Sequence, residues 1–110
     1  MAVVVTKVVA MVGDLMDRSR IAAVLPEAIF ITAAGEAAEA AVVLVDLPRH
    51  GALIREIRAA TPTARIVAFG PHVDDTAFAE ALGAGATEAI ARSRFFRDVR
   101  SAALGTVTGR

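Results

Sequence analysis

The side chains best suited to chemistry in this chain stand just beyond apolar runs rather than inside them. Asp14 follows the first run, Asp46 ends the third, and Arg92 ends the fifth; Arg49, His50, His72 and Asp74 lie in the loops between. Three carboxylates and two imidazoles on a common rim could hold a divalent metal, and Arg49 and Arg92 could supply charge to an anion. The spacing is not that of a known ligand motif such as HExxH, and no catalytic serine motif, P-loop or dinucleotide fingerprint is present. Gly83-Ala84-Gly85 precedes a strand-like run instead of opening a helix, so it forms no phosphate cradle. No nucleophile–base pair is visible, and we expect no enzyme.

Whether these residues meet depends on the elements that carry them. Five short apolar runs, at 7–12, 28–32, 41–46, 65–70 and 87–92, alternate with stretches of helical period. That alternation predicts an α/β fold of βα units around a parallel sheet. The third run is apolar throughout up to Asp46, as a strand buried on both faces should be. With right-handed crossovers, one helix per strand predicts a (βα)5 doubly wound sheet of order 2-1-3-4-5, a flavodoxin-like three-layer sandwich. Its first and third strands would then be neighbours. Asp14 and Asp46 would share the rim at the strands' carboxyl ends, where ligands gather in such sheets.

The connections carry their own signals. Asp14 or Asp17 can cap a first helix with Leu15, Ile21, Val24 and Leu25 inward, stopped by Pro26. Residues 35–40 offer only one or two helical turns. Residues 46–51, DLPRHG, read as a tight loop before a helix over 52–60 that turns Leu53, Ile54 and Ile57 inward. Gly70-Pro71 should make a rigid rim loop presenting His72. Asp74 or Asp75 can cap a fourth helix with Phe78, Ala81 and Leu82 inward, ended by Gly83 and Gly85. Ser93 can cap the last helix, with Phe95, Phe96, Val99 and Leu104 inward and Arg94, Arg97 and Arg100 on a solvated face. We expect a single domain over 1–110, with its core at about 7–104 and a frayed tail over 105–110.

Composition narrows the function classes. The 110 residues include no cysteine, which excludes disulfides and thiolate chemistry. Twelve basic residues balance twelve acidic ones, and Trp and Tyr are absent. A general nucleic-acid binder would use a long-range positive field and stacking aromatics, so no nucleic-acid partner is expected. No apolar run reaches the roughly 18 residues of a membrane span. Lys7 interrupts the N-terminal run without a cleavage signal, and we expect a cytoplasmic protein.

Over about residues 7–104 the chain resembles the receiver domain of bacterial response regulators. The residues that carry the likeness are VVAMVGD ending at Asp14, VVLVD ending at Asp46, the Pro and Gly of DLPRHG, and ALGAGA before the last strand. The resemblance implies that Asp46 is the phospho-acceptor and that Asp14 is the second acid of a Mg²⁺-binding pair, so that Asp14 and Asp46 would be the metal ligands. Gly13 stands at the first acid, Gly70 at the switch hydroxyl, and Arg92 at the lysine. Ser93 replaces the proline that usually follows the lysine, and Ile90 replaces an aromatic. The loop after Asp46 is two or three residues short.

These departures weaken the implied chemistry. Losing one carboxylate costs Mg²⁺ binding about 1.5–3 kcal/mol. Gly70 has no hydroxyl to follow a phosphoryl group, and the planar fork of Arg92 poorly replaces a compact ammonium. The resemblance therefore implies a stand-alone, receiver-like signalling module with impaired or absent phosphorylation and weakened Mg²⁺. Its partners would be proteins, a kinase or a downstream target, and the face of the fourth helix, fifth strand and last helix would be the contact surface and could support a homodimer. The competing expectation is a small-ligand, anion or metal-binding domain using Arg49, His50, His72 and Asp74.

Overall fold

The computed structural model describes residues 7–105. Residues 1–6 at the start of the N-terminal apolar run, and all of the expected 105–110 tail except Gly105, lie outside the described residues. Five parallel strands form one sheet in the order β2-β1-β3-β4-β5, as the alternation predicts. They are β1 (Val8–Met11), β2 (Ile29–Phe30), β3 (Val42–Asp46), β4 (Arg65–Gly70) and β5 (Glu88–Ala91).

Alternate strand residues feed two cores. On one face Val8, Ala10, Leu44, Val67 and Phe69 pack with Ile21 and Leu25 of α1 (Leu15–Val24) and its C-cap. Phe95 of α5 (Arg92–Arg97) and Val99 and Ala103 of α6 (Val99–Leu104) complete that layer. The other face sets Val9, Met11, Val43, Val45, Ile66 and Ala68 against Ile54 and Ile57 of α3 (Ile54–Ala60) and Ala81 of α4 (Asp75–Ala84). A period of two along each strand thus becomes a three-layer sandwich.

Several local expectations are corrected. The segment after Asp46 is not a loop: Leu47–His50 forms a short helix, α2, followed by a 3-10 turn over Gly51–Leu53. Asp46 caps α2, and Pro48 sits in its first turn, where a missing N–H costs nothing. The helix expected from residue 52 accordingly starts at Ile54 and leaves Leu53 half-buried. In α1 the cap is Asp14, and Leu15 is 74% exposed while Val24 also faces outward. The inner stripe runs Asp17, Ile21, Leu25, a series of fours whose first member is acidic.

Asp74 rather than Asp75 caps α4. Leu82 of that helix is exposed, and Gly85, at φ +122°, rather than Gly83 closes it. Ser93 lies inside α5 and caps nothing, because the helix begins at Arg92 after Ala91, and the last helix breaks at Asp98. The Asp98 carboxylate accepts from the Ser101 N–H at 3.2 Å and starts α6. Gly105, at φ +62°, then closes α6 in the left-handed region.

Phe69 and Phe95 of the core and the partly buried Phe96 form an aromatic cluster. Phe69 and Phe95 stack at 4.3 Å, and both meet the Phe96 ring edge-on at 5.5 and 4.9 Å. Phe95→Ala should lower the unfolding free energy by about 3–5 kcal/mol in a urea titration with an unchanged m-value.

Candidate functional site at the rim of β1 and β3

Pairing of β1 with β3 sets Met11 opposite Val45, so the turn after β1 lies beside Asp46. Asp46 is only 5% exposed, and its carboxylate is held by three donors. The Gly13 N–H donates to Oδ2 at 2.9 Å, the Arg49 N–H to Oδ1 at 3.2 Å, and His50 Nδ1 to Oδ1 at 2.9 Å. A carboxylate can only accept, which fixes His50 with its proton on Nδ1. Asp14 lies on the same rim, with Oδ1 accepting from the Asp17 N–H at 3.0 Å as the cap of α1.

Asp14, Asp17, Asp46, Pro48, Arg49, Phe69 and Arg92 line one open concavity of about 160 Å³. The structure therefore brings together Asp14, Asp46, Arg49 and Arg92, with Gly13 behind them and His50 against Asp46. It does not bring in His72 and Asp74. His72 is exposed on the loop after β4, and the Asp74 carboxylate accepts from the Ala77 N–H at 3.0 Å. Among the described residues no three histidines or carboxylates gather as a metal cluster.

The space beside Gly13 and beside Gly70 is filled from elsewhere in the chain. A Cβ placed on Gly13 would stand 2.9 Å from Arg49 Nη1, so a guanidinium lies over that glycine. A Cβ on Gly70 would stand 3.2 Å from Leu47 Cβ, so an aliphatic chain covers that glycine. Both intruders come from the segment that follows Asp46.

Sequence reasoning missed Asp17 as a member of this site. Its carboxylate is 4% exposed and takes a two-pronged bond from Arg92, with Nη1 and Nη2 each at 2.7 Å from an oxygen. That bond, chiefly, holds the Asp17 carboxyl below its ordinary pKa against the opposing effect of burial, and the charges of Arg92, Arg20 and Arg49 add to it. Arg92 is raised in turn, foremost by the same bond. The series Asp17, Ile21, Leu25 was the available signal, since extending the apolar stripe back by four lands on an acid that needs a buried partner.

No protein-family model matches the chain, and no characterised protein matches it by sequence. Solved structures do. A response regulator from Burkholderia pseudomallei, crystallised with a phosphorylated aspartic acid, a calcium ion and citrate, superposes with a TM-score of 0.76 at 15% identity. The match covers 89% of this chain and 66% of that one, so this chain spans just under two thirds of its length. A CheY-like protein, TadZ, from Pseudomonas aeruginosa matches with a TM-score of 0.71 at 19% identity over 87% of this chain and 94% of that one. A response-regulator receiver domain protein from Clostridium thermocellum gives 0.72 at 19% identity over 89% and 90% of the two chains.

The fold is that of a receiver domain. Within the receiver fold Asp46 ends the third strand, as the sequence resemblance implies, and Arg92 follows the fifth. Among the described residues no helix of this receiver-like domain is long and apolar enough to cross a membrane.

The depressed Asp17 carboxyl gives a pH dependence with a definite sign. Its contribution is fully present above the unfolded carboxylate pKa and is lost as pH falls from about 4 through the lower folded value. Asp17→Asn should cost about 1–3 kcal/mol at neutral pH, Arg92 being partly open to solvent. The variant and the wild type should converge in stability toward acid, as read by denaturant titrations at stepped pH.

Proposed function

We propose that this receiver-like domain is a signalling module that works through protein–protein contacts in its unphosphorylated form, without catalysis of its own. The receiver fold supports the signalling context. The observation that carries the rest is the state of Asp46, whose carboxylate is held by three protein donors as the cap of a helix. Phosphorylation would require one oxygen to leave these donors and attack phosphorus, with cations gathered around the developing charge.

Those cations lack a seat. Mg²⁺ favours near-octahedral oxygen ligation and draws on one or two carboxylates plus phosphate oxygens. Here Asp14 is a helix cap, Gly13 offers no oxygen from a side chain, and the Arg49 guanidinium lies over that position. The residues present do not fit the ion. Arg92, at the place of the family's lysine, is turned onto Asp17 by two short bonds. Gly70, buried under Leu47, has no group that could follow a phosphoryl oxygen and convey its arrival.

A module of this kind presents one surface rather than two alternating ones. Its partner would be a kinase-type or downstream protein, or a second copy of the chain, recognising that fixed surface. The Burkholderia protein, by contrast, carries its phosphorylated aspartate in the crystal.

The test is incubation with acetyl phosphate and Mg²⁺ followed by intact mass spectrometry. Wild type and Asp46→Ala should both stay at their unmodified masses. An adduct of one phosphoryl group that depends on Asp46 would overturn the proposal.

A further inference from the structure

Arg92 also lines a second concavity, of about 390 Å³, together with Arg20, Ser93, Phe96 and Arg97. We infer that it is a binding site for a small, multiply charged oxyanion of phosphate type. The arginines come from separate parts of the chain, Arg20 from α1 and Arg92 and Arg97 from opposite ends of α5. They converge in a protein whose formal net charge is zero. One surface of the fold therefore holds a local positive excess that the composition alone does not reveal.

The cluster is organised by one aromatic ring. The guanidinium carbon of Arg20 stands 4.1 Å from the Phe96 centroid and that of Arg92 stands 5.1 Å from it. Phe96 is itself fixed by edge-on contacts with Phe69 and Phe95. Cation–π attraction thus holds two like charges near each other on a rigid platform, and a bound anion would relieve their repulsion.

Neutralisation from within the protein is incomplete. Asp17 pairs with Arg92, but Arg20 and Arg97 form no ion pair or side-chain hydrogen bond among the described residues. Two donors of Arg92 are engaged and its others remain. The Ser93 hydroxyl adds a neutral donor at the same wall. This arrangement suits tetrahedral oxyanions, which accept several N–H and O–H donors at once.

The same ring limits what else the site can read. Both guanidiniums lie against Phe96, leaving it poorly placed to stack a nucleobase. The site should therefore recognise the phosphate groups of a ligand and ignore an attached base. This inference does not depend on the state of Asp46.

Calorimetric titration of the full chain with inorganic pyrophosphate at low salt tests it. Wild type should bind, and Arg20→Ala and Arg97→Ala should each weaken binding about fivefold or more. Arg55→Ala, on the opposite face beside α4, should bind as wild type does. Circular dichroism of each variant checks that the exposed substitutions leave the fold intact. Adenosine diphosphate should match pyrophosphate within about twofold, and added salt should weaken both. Absence of binding at millimolar pyrophosphate would overturn the inference. So would equal binding by all three variants, or a clear preference for adenosine diphosphate.

Discussion

Parallel pairing of β1 with β3 places the Gly13 amide within hydrogen-bonding distance of Asp46, and much of the rim follows from that one contact. A carboxylate buried at the end of a central strand must be satisfied on the spot, because water has little access to it. Gly13 supplies one donor from the neighbouring turn. The Arg49 N–H in α2 supplies a second, and the ring of His50, the next residue, supplies a third. Meeting these needs winds the chain after Asp46 into a helix, and the helix brings Leu47 over Gly70 and Arg49 over Gly13. The shortened segment and the two glycines are therefore parts of one arrangement. Each glycine leaves room for a side chain that the cap delivers.

Arg92 and Asp17 form the second fixed point of the rim. Separated by 75 residues in sequence, they tie the first helix to the start of α5, across the carboxyl end of the sheet. Asp17 is nearly inaccessible while Arg92 keeps an open side, so the pair is anchored inside and solvated outside. Such half-open pairs avoid most of the desolvation that makes fully buried ion pairs weak contributors. Arg92 also lies against Phe96, which joins this pair to the aromatic cluster beneath it.

The sheet was legible in the sequence because its signal is local and strong. The runs around Val8–Met11, Val42–Asp46 and Arg65–Gly70 are apolar and β-branched between turn residues, and the crossover rule leaves few ways to arrange them. Asp14 and Asp46 could be placed on one rim from topology alone. The helices were less legible. Leu15 and Met16 look like the start of an apolar face, yet both are exposed, because the inner stripe begins at an acid that its type argues against burying. The α2 turn was hidden for a related reason. Pro48 and Gly51 suggest a loop, and only the carboxylate of Asp46 turns the segment into a capped helix. The Asp17–Arg92 pair could not be read from spacing, since partners so far apart announce themselves only in three dimensions.

The two margins of the sheet are unequal. β5 is flanked by α4 and α5 and tied to Arg65, whose guanidinium meets Glu88 at 2.6 Å and the Ala102 and Ala103 carbonyls. β2 is a two-residue strand with Ile29 exposed, followed by a 3-10 turn over Ala34–Ala37 instead of a full helix. Pairing thins toward that margin, where β2 meets β1 only through Val9 with Ile29 and Ala10 with Phe30. Partial unfolding should therefore begin at β2 and stop at β1, leaving a four-stranded remnant whose central amides exchange with solvent only on global unfolding.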